Sequence, residues 1–408
     1  MFSEFGWLDT NESQRAKVLE IVQLFKQEGT VDELGIGSIR DTIANALFPG
    51  TSVLHTRLRY VLLIPWLLLR ATHQSDSGRM VKALRQHEIA LISALLQNHQ
   101  HGVIGQQARE RLKRMPSEVY WTALRVWGIR QEPRRSRVSI AKFFQHAWAV
   151  NSLNARRVAG DDPEAGDPPL QFWLDPDLPP APKGLFRSDS SVTFDLTGPE
   201  EEYLSSRIAE STKDSLLSWL VTHPPAELAD LVWELDPAFV AEFPFRLRRL
   251  VDHGRRFHSA IYGAAVLYNL LLAELLQSDQ LVDQHQQRLD SWQGELEQTQ
   301  PMAHWDRVDF WQALADTKIR IHPSTRSFVD QWLDLVELSP NMAEHSGARR
   351  LIEQRERQIK GGRARMANTA ALQSWSGASG LGRLDYRWGA TQSLLTDLYA
   401  ARTSFREG

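Results

Sequence analysis

The residues best suited to chemistry lie in Asp32–Trp66, DELGIGSIRDTIANALFPGTSVLHTRLRYVLLIPW. Glu33 stands just before a turn that carries two glycines, Gly35 and Gly37, and runs into a helix. Ser38 is placed as the N-cap of that helix, and Asp41 three residues on closes a capping box. Such a turn offers bare backbone N–H groups at the positive end of a helix, which suits a phosphate or another anion. Its spacing is not that of a P-loop or a dinucleotide fingerprint, and no strand is predicted before it. Arg40 flanks the inner stripe of the helix, within reach of a phosphate or of Glu33. A second helix is predicted from Thr51 or Ser52, carrying His55, Arg57, Arg59 and Tyr60 near its start. Guanidinium groups bind phosphate bidentately, and an aromatic ring stacks on a base. Each feature also has a plain structural account: a tight loop, a capping carboxylate, a salt bridge, an ion-pair network under a core.

A second stretch of this kind comes near the end. IKGGRARMANTAAL followed by SGASGLGRLDYRW gathers glycines with Arg363, Arg365, Asp385, Tyr386, Arg387 and Trp388. Glycine lets a backbone approach a ligand closely, and Asp385 beside Arg387 is an oriented carboxylate, although a lone Asp–Arg pair is more often structural. The chain has no cysteine, which removes disulfides, thiol nucleophiles and cysteine-based zinc sites together. His87 in HEIAL lacks the spacing of a zinc protease, and no nucleophile elbow or two-metal acidic cluster is visible. A metal-free, cofactor-free activity or a binding function is expected.

The elements that must position these residues read as helices. Amphipathic periodicity and caps predict helices over Asn11–Gln27, Ser77–Gln97, Gly105–Met115, Pro116–Trp127 and Ser139–Asn151. Further helices are predicted over Glu200–Thr222, Pro225–Leu235, Pro237–His253, Arg256–Ser278, Asp279–Thr299, Trp305–Thr317, Pro323–Leu338, Ala343–Met366 and Thr391–Arg402. Gly160–Pro199, rich in Asp, Pro and Gly, reads as an irregular acidic excursion with room for a short hairpin. The expected fold is mainly α, a multi-helical body. Its parts are an N-terminal domain (1–157), the excursion (158–199), a central helical domain (200–345) and a C-terminal segment (346–408) that packs back on the first.

The 408 residues are 42% hydrophobic and 24% charged, with a net charge of −3, as in ordinary soluble proteins. Charge is unevenly spread. Residues 104–157 hold twelve Lys/Arg against three Asp/Glu, residues 160–202 two against eleven, and residues 349–365 seven against two. Basic blocks of this kind suit a polyanion partner or are solvated faces. The longest apolar run, Tyr60–Leu69, is too short to span a membrane, and no signal peptide is read at the N-terminus. A cytoplasmic protein is expected.

Several motifs taken together, FGWLD, DELGIGSIRD…LFPGTS…TRLRYVLLIPW, SEVYWTALRVWGI and SGASGLGRLDYRW, resemble the bacterial DUF6361 family over nearly the whole chain. The resemblance implies a place in phage defence, with other defence-locus proteins as partners. It also implies a DNA glycosylase that excises glucosylated hydroxymethylcytosine and leaves abasic sites. Such an enzyme extrudes the nucleotide and stabilises an oxocarbenium-like sugar while a carboxylate positions water. On that reading Glu33, Asp41 or Asp385 is the carboxylate. Arg40, Arg57 and Arg59 bind phosphate, and Tyr386 or Trp388 stacks on a base. The alternatives are a non-catalytic DNA-binding subunit of a defence system, and a helical scaffold that holds a protein partner through the acidic excursion.

Overall fold

A computed structural model describes residues 32–133, 138–159, 172–187, 191–338 and 341–406. The described residues form fifteen α-helices joined by short 3-10 turns, with a single isolated antiparallel bridge, Arg130 to Leu174, in place of any hairpin. The fold is mainly α. The predicted helix Asn11–Gln27, residues 134–137 of the basic segment and residues 160–171 and 188–190 of the acidic excursion lie outside the described residues.

Contacts divide the chain into two compact units. One takes the chain up to Ile43 together with Arg249–Tyr386, and the other takes Ala44–Arg248 with the chain from Arg387 onward. Both are discontinuous in sequence, so neither coincides with a composition-based segment.

The first unit is built on a long helix, Phe245–Leu275. Sequence patterning breaks it near Gly254, yet it runs through. That glycine faces the Tyr386 ring, which would sit 3.1 Å from an added Cβ, and its carbonyl accepts the Tyr386 hydroxyl at 2.8 Å. At Gly263 the Trp292 ring comes so close that any Cβ would lie 2.3 Å from it. Trp292 stacks on Trp332, and their indole N–H groups donate to the carbonyls of Ser259 and Ala260. These contacts bring Asp279–Thr299 and Pro323–Leu338, both predicted to the residue, onto the spine.

In the second unit the apolar helix Tyr60–Ala71 is the centre, with ten of its twelve residues buried. Ser77–Gln97 and Pro116–Val126 pack against it. In this unit one predicted helix starts late and two, Gly105–Met115 and Pro225–Leu235, are replaced by 3-10 turns, the second by Val232–Glu234. Tyr60 opens its helix, not Thr51 or Ser52. The amides of Thr56 and Arg57 are taken by the Tyr120 hydroxyl and that of Leu58 by Asp397, so side chains satisfy the backbone that a helix would have paired. Gly105–Met115 contains only a 3-10 turn, Arg109–Arg111. Gly105 and Arg109 adopt φ of 84° and 45°, which a right-handed helix excludes. The predicted Glu200–Thr222 is two helices, Gly198–Ser211 and Leu216–Thr222, because Ser215 caps a new start by accepting the amide of Ser218.

Candidate active site

In the first unit, Glu33 lies against two cations from the far end of the sequence. Its Oε1 accepts from Arg365 Nη1 at 2.8 Å, and its Oε2 accepts from Lys360 Nζ. Lys360 also donates to the Tyr268 hydroxyl at 2.8 Å and to Glu356 Oε1 at 3.0 Å. Tyr268 donates to Glu356 Oε1 at 2.7 Å and accepts a second bond from Arg365 Nη1 at 3.0 Å. The oxygens of Glu356 are completed by the amides of Arg365 and Met366. Two carboxylates and two cations thus balance around one phenol. Glu33 is 6% exposed and Glu356 is fully buried, whereas the Lys360 and Arg365 side chains keep 18% and 23% of their surface. The solvent-facing rim of the cluster is therefore cationic.

Local sequence chemistry sets this geometry. Gly35 has φ of +67°, and a Cβ there would stand 2.7 Å from Arg355 Nη2 and 2.8 Å from Ile359 Cδ1. Only glycine fits the turn without strain. The closeness lets Arg355, itself buried, donate to the carbonyls of Leu34 and Gly35 at 2.8 and 3.2 Å. Arg355, Glu356 and Lys360 lie on one helix, Ser346–Lys360, which ends at Gly361 with φ of +54°. The chain then turns back through Arg363 and Arg365, where the amide of Arg365 meets Glu356.

Burial pushes the Glu33 carboxyl up, but its bonds to Lys360 and Arg365 and their charges outweigh burial and hold it below the ordinary carboxylate range. Glu356 follows the same balance: burial raises it, and the Met366 amide, the Tyr268 hydroxyl and Lys360 bring it below its usual value. Burial, the charge of Glu33 and the bond to Glu356 all raise Tyr268, which stays protonated. An ionised, nearly buried carboxylate beside partly exposed cations is equipped to stabilise positive charge on a bound group.

The turn itself is not the bare anion cradle its sequence predicts. Asp32 accepts the amides of Ile36 and Gly37 at 2.7 and 2.8 Å, so a resident carboxylate already fills the place of an anion. The helix begins at Gly37, and Ser38 lies inside it with its carbonyl accepting from Thr42. Asp32, not Ser38, is the cap. Asp41 is half-exposed and pairs with Arg40 at 3.1 Å.

The other predicted residues fall elsewhere. Asp385 is half-buried in the first unit, and Tyr386 is buried there. His55, Arg57, Arg59, Tyr60, Arg387 and Trp388 belong to the second. His55 is stacked on Tyr120 at 4.1 Å, and burial pushes it down to about 4, so it is neutral near pH 7. Arg57 forms an ion pair with Asp397 at 2.9 Å and Arg59 one with Glu200 at 2.8 Å. The Tyr60 hydroxyl accepts the Ile104 amide. Arg387 binds Asn45 and the Thr51 carbonyl. Tyr386 and Trp388 have no free ring face to offer a base: they are 1% and 0% exposed, and Trp388 packs on Phe48 and donates to the Ala229 carbonyl. Their aromatic character serves the two cores.

Of the predicted site, the structure brings together Glu33, the Gly35 turn and Arg365, with Arg363 exposed close by in sequence. Sequence reasoning missed Tyr268, Arg355, Glu356 and Lys360. A signal was present in part: Glu356 and Lys360 sit four residues apart in the basic block 349–365, so one helix face carries both. The glycine loop Ser376–Gly382 is pinned in the same unit by Asn269, next to Tyr268, which exchanges two bonds of 2.7 Å with the backbone of Ser379. His285 holds the carbonyl of Gly377 at 2.9 Å. Among the described residues no group of three or more His, Asp or Glu is arranged to hold a metal ion, and no helix is long and apolar enough to cross a membrane.

Neither the curated proteins nor the solved structures contain a match to this chain. A family model does match, over residues 2–402, and the chain belongs to the family of unknown function DUF6361.

Proposed function

We propose that this DUF6361 member is a DNA glycosylase that excises a modified cytosine, glucosylated hydroxymethylcytosine, from phage DNA and leaves an abasic site. The observation that carries the reading is the ionised Glu33 carboxylate seated between Lys360 and Arg365. As the C1′–N1 bond breaks, the electron pair leaves with the base and positive charge develops on the sugar. Glu33 supplies the opposing charge and orients the water that adds at C1′; one proton of that water is lost and the base departs protonated. A carboxyl held below its ordinary range is a weak base and a strong electrostatic partner, so charge stabilisation is its larger role. Lys360 and Arg365 are partly exposed and form the rim of the site on which an incoming nucleotide would settle. Arg365 uses Nη1 for both of its bonds, which leaves Nε and Nη2 for a flanking phosphate.

The test is incubation of purified protein with DNA carrying glucosylated hydroxymethylcytosine and with the same DNA carrying plain cytosine, followed by assay for abasic sites. Abasic sites in the modified DNA alone support the proposal, and none above a Glu33→Gln control removes it.

A second reading, DNA binding without catalysis as part of a multi-protein defence system, is favoured by a different observation. Arg109, Arg111, Lys113 and Arg114 are exposed on the turn after Gly105, and no carboxylate pairs with them among the described residues. Arg85 steadies that turn by donating to the carbonyls of Glu110 and Leu112. Four solvated cations on a fixed turn suit a phosphate backbone.

A further inference from the structure

The second unit contains a cavity of about 570 Å³ between the C-terminal end of the helix Tyr60–Ala71 and the irregular segment 172–187, a size typical of small-molecule sites. Its walls include the rings of Trp66, Phe172 and Phe186, with Arg70 and His73 among its polar groups. Trp66 is fixed as a wall because its indole N–H donates to the Pro179 carbonyl at 2.8 Å. The Arg70 guanidinium lies 4.5 Å from the centre of the Phe186 ring. No carboxylate or hydrogen-bond acceptor engages the Arg70 side chain among the described residues, so its N–H fork is unspent. The one carboxylate in the lining, Asp175, is buried and already committed. It forms an ion pair with Arg207 at 2.9 Å and accepts the Tyr203 hydroxyl at 2.9 Å, so it does not repel an anion. An aromatic-walled cavity whose uncommitted charge is a stacked guanidinium matches a ligand with a flat ring at one end and a doubly accepting anion at the other.

We propose that this cavity binds a nucleoside monophosphate unit, the base against the aromatic walls and the phosphate on Arg70. The unit is either a free mononucleotide or one nucleotide of a DNA strand, since both present the same base and phosphate. The site lies within the second unit, uses none of the Glu33 cluster, and does not depend on glycosylase activity.

Isothermal titration of the full chain with AMP, deoxycytidine monophosphate, deoxycytidine and inorganic phosphate tests the assignment. Saturable binding of a monophosphate is expected, at least tenfold tighter than the nucleoside or phosphate alone. Arg70→Ala is expected to weaken it tenfold or more and Phe186→Ala severalfold, while Lys82→Ala, an exposed cation elsewhere, leaves it unchanged. A short single-stranded oligonucleotide that binds in the same Arg70-dependent way where free nucleotides do not assigns the strand as the source. The proposal is overturned if neither mononucleotide nor oligonucleotide binds below millimolar concentration, or if binding is indifferent to both Arg70→Ala and Phe186→Ala in proteins that melt as the parent does.

Discussion

Arg365 Nη1 donates to Glu33 Oε1 at 2.8 Å across a sequence separation of 332 residues. With Lys360 on the other oxygen, this bond keeps an almost covered carboxylate ionised against the effect of burial. The pair and its neighbours should therefore be energetically coupled. A double-mutant cycle with Glu33→Gln and Lys360→Met should give a coupling of about 1–3 kcal/mol, as expected of contacting charged groups. Removing Glu33 alone leaves Arg365 without its carboxylate and Lys360 with Glu356 alone, and should cost more stability than removing both partners. Additive effects on thermal unfolding contradict the network as described.

Gly35 gives a test of the turn that holds Glu33. An alanine there takes on the strain of φ +67° and meets Arg355 and Ile359 at under 3 Å. Gly361 has φ of +54° but open space around it, so an alanine there meets only the backbone strain, about 1 kcal/mol. Gly35→Ala should destabilise the fold by about 1–3 kcal/mol more than Gly361→Ala, read as a clearly lower melting temperature. Equal shifts would mean that the close approach of Arg355 carries little weight.

Much of this arrangement could be read in the sequence, and what could not has a physical reason. Helices with strong periodicity and clear caps, such as Ser77–Gln97, are found as predicted. The Glu33–Gly35 turn stood out because paired glycines before a helix are locally distinctive, and Arg365 because it lies among glycines. Lys360, Glu356 and Tyr268 join the site only through contacts between segments far apart in the chain, and no local pattern encodes them. The misread helix start at Thr51 has the same origin: Tyr120 and Asp397, distant in sequence, take the amides of residues 56–58. The Asp32 cap was missed for a different reason, since it reaches forward four and five residues across the glycine turn.

Glu88 makes stability depend on pH in a specified direction. It is 1% exposed and accepts the amide of Ser117 at 2.7 Å, and burial pushes its carboxyl up to about 7 from an ordinary 4.5. The folded state thus holds a proton that the unfolded chain has lost between those values. Its contribution is complete below pH 4.5 and is lost as pH rises through about 7. The gap corresponds to something on the order of 3 kcal/mol. Glu88→Gln, which keeps the acceptor for Ser117, should raise the melting temperature at pH 8 and change it little at pH 4. A uniform shift at both pH values contradicts the assignment.

The exposed turn offers a test of DNA contact that is independent of chemistry. Replacing Arg109, Arg111, Lys113 and Arg114 together by alanine should weaken DNA binding without regard to sequence. If all four meet phosphates, the slope of log affinity against log salt concentration should fall in magnitude by about 3–4. A slope unchanged by the replacement would place the phosphate contacts elsewhere.

The central claim is that Glu33 performs chemistry and does not merely hold the chain together. The most direct measurement is the single-turnover rate of base excision from DNA containing glucosylated hydroxymethylcytosine, taken beside DNA affinity for the parent and for Glu33→Gln. The rate for the variant should be at least about a hundredfold lower, as for loss of an electrostatic stabiliser, with affinity within about threefold, as expected when the lost interaction forms only in the transition state. Excision by a folded Glu33→Gln protein at the parent rate, or no excision by the parent at all, contradicts it.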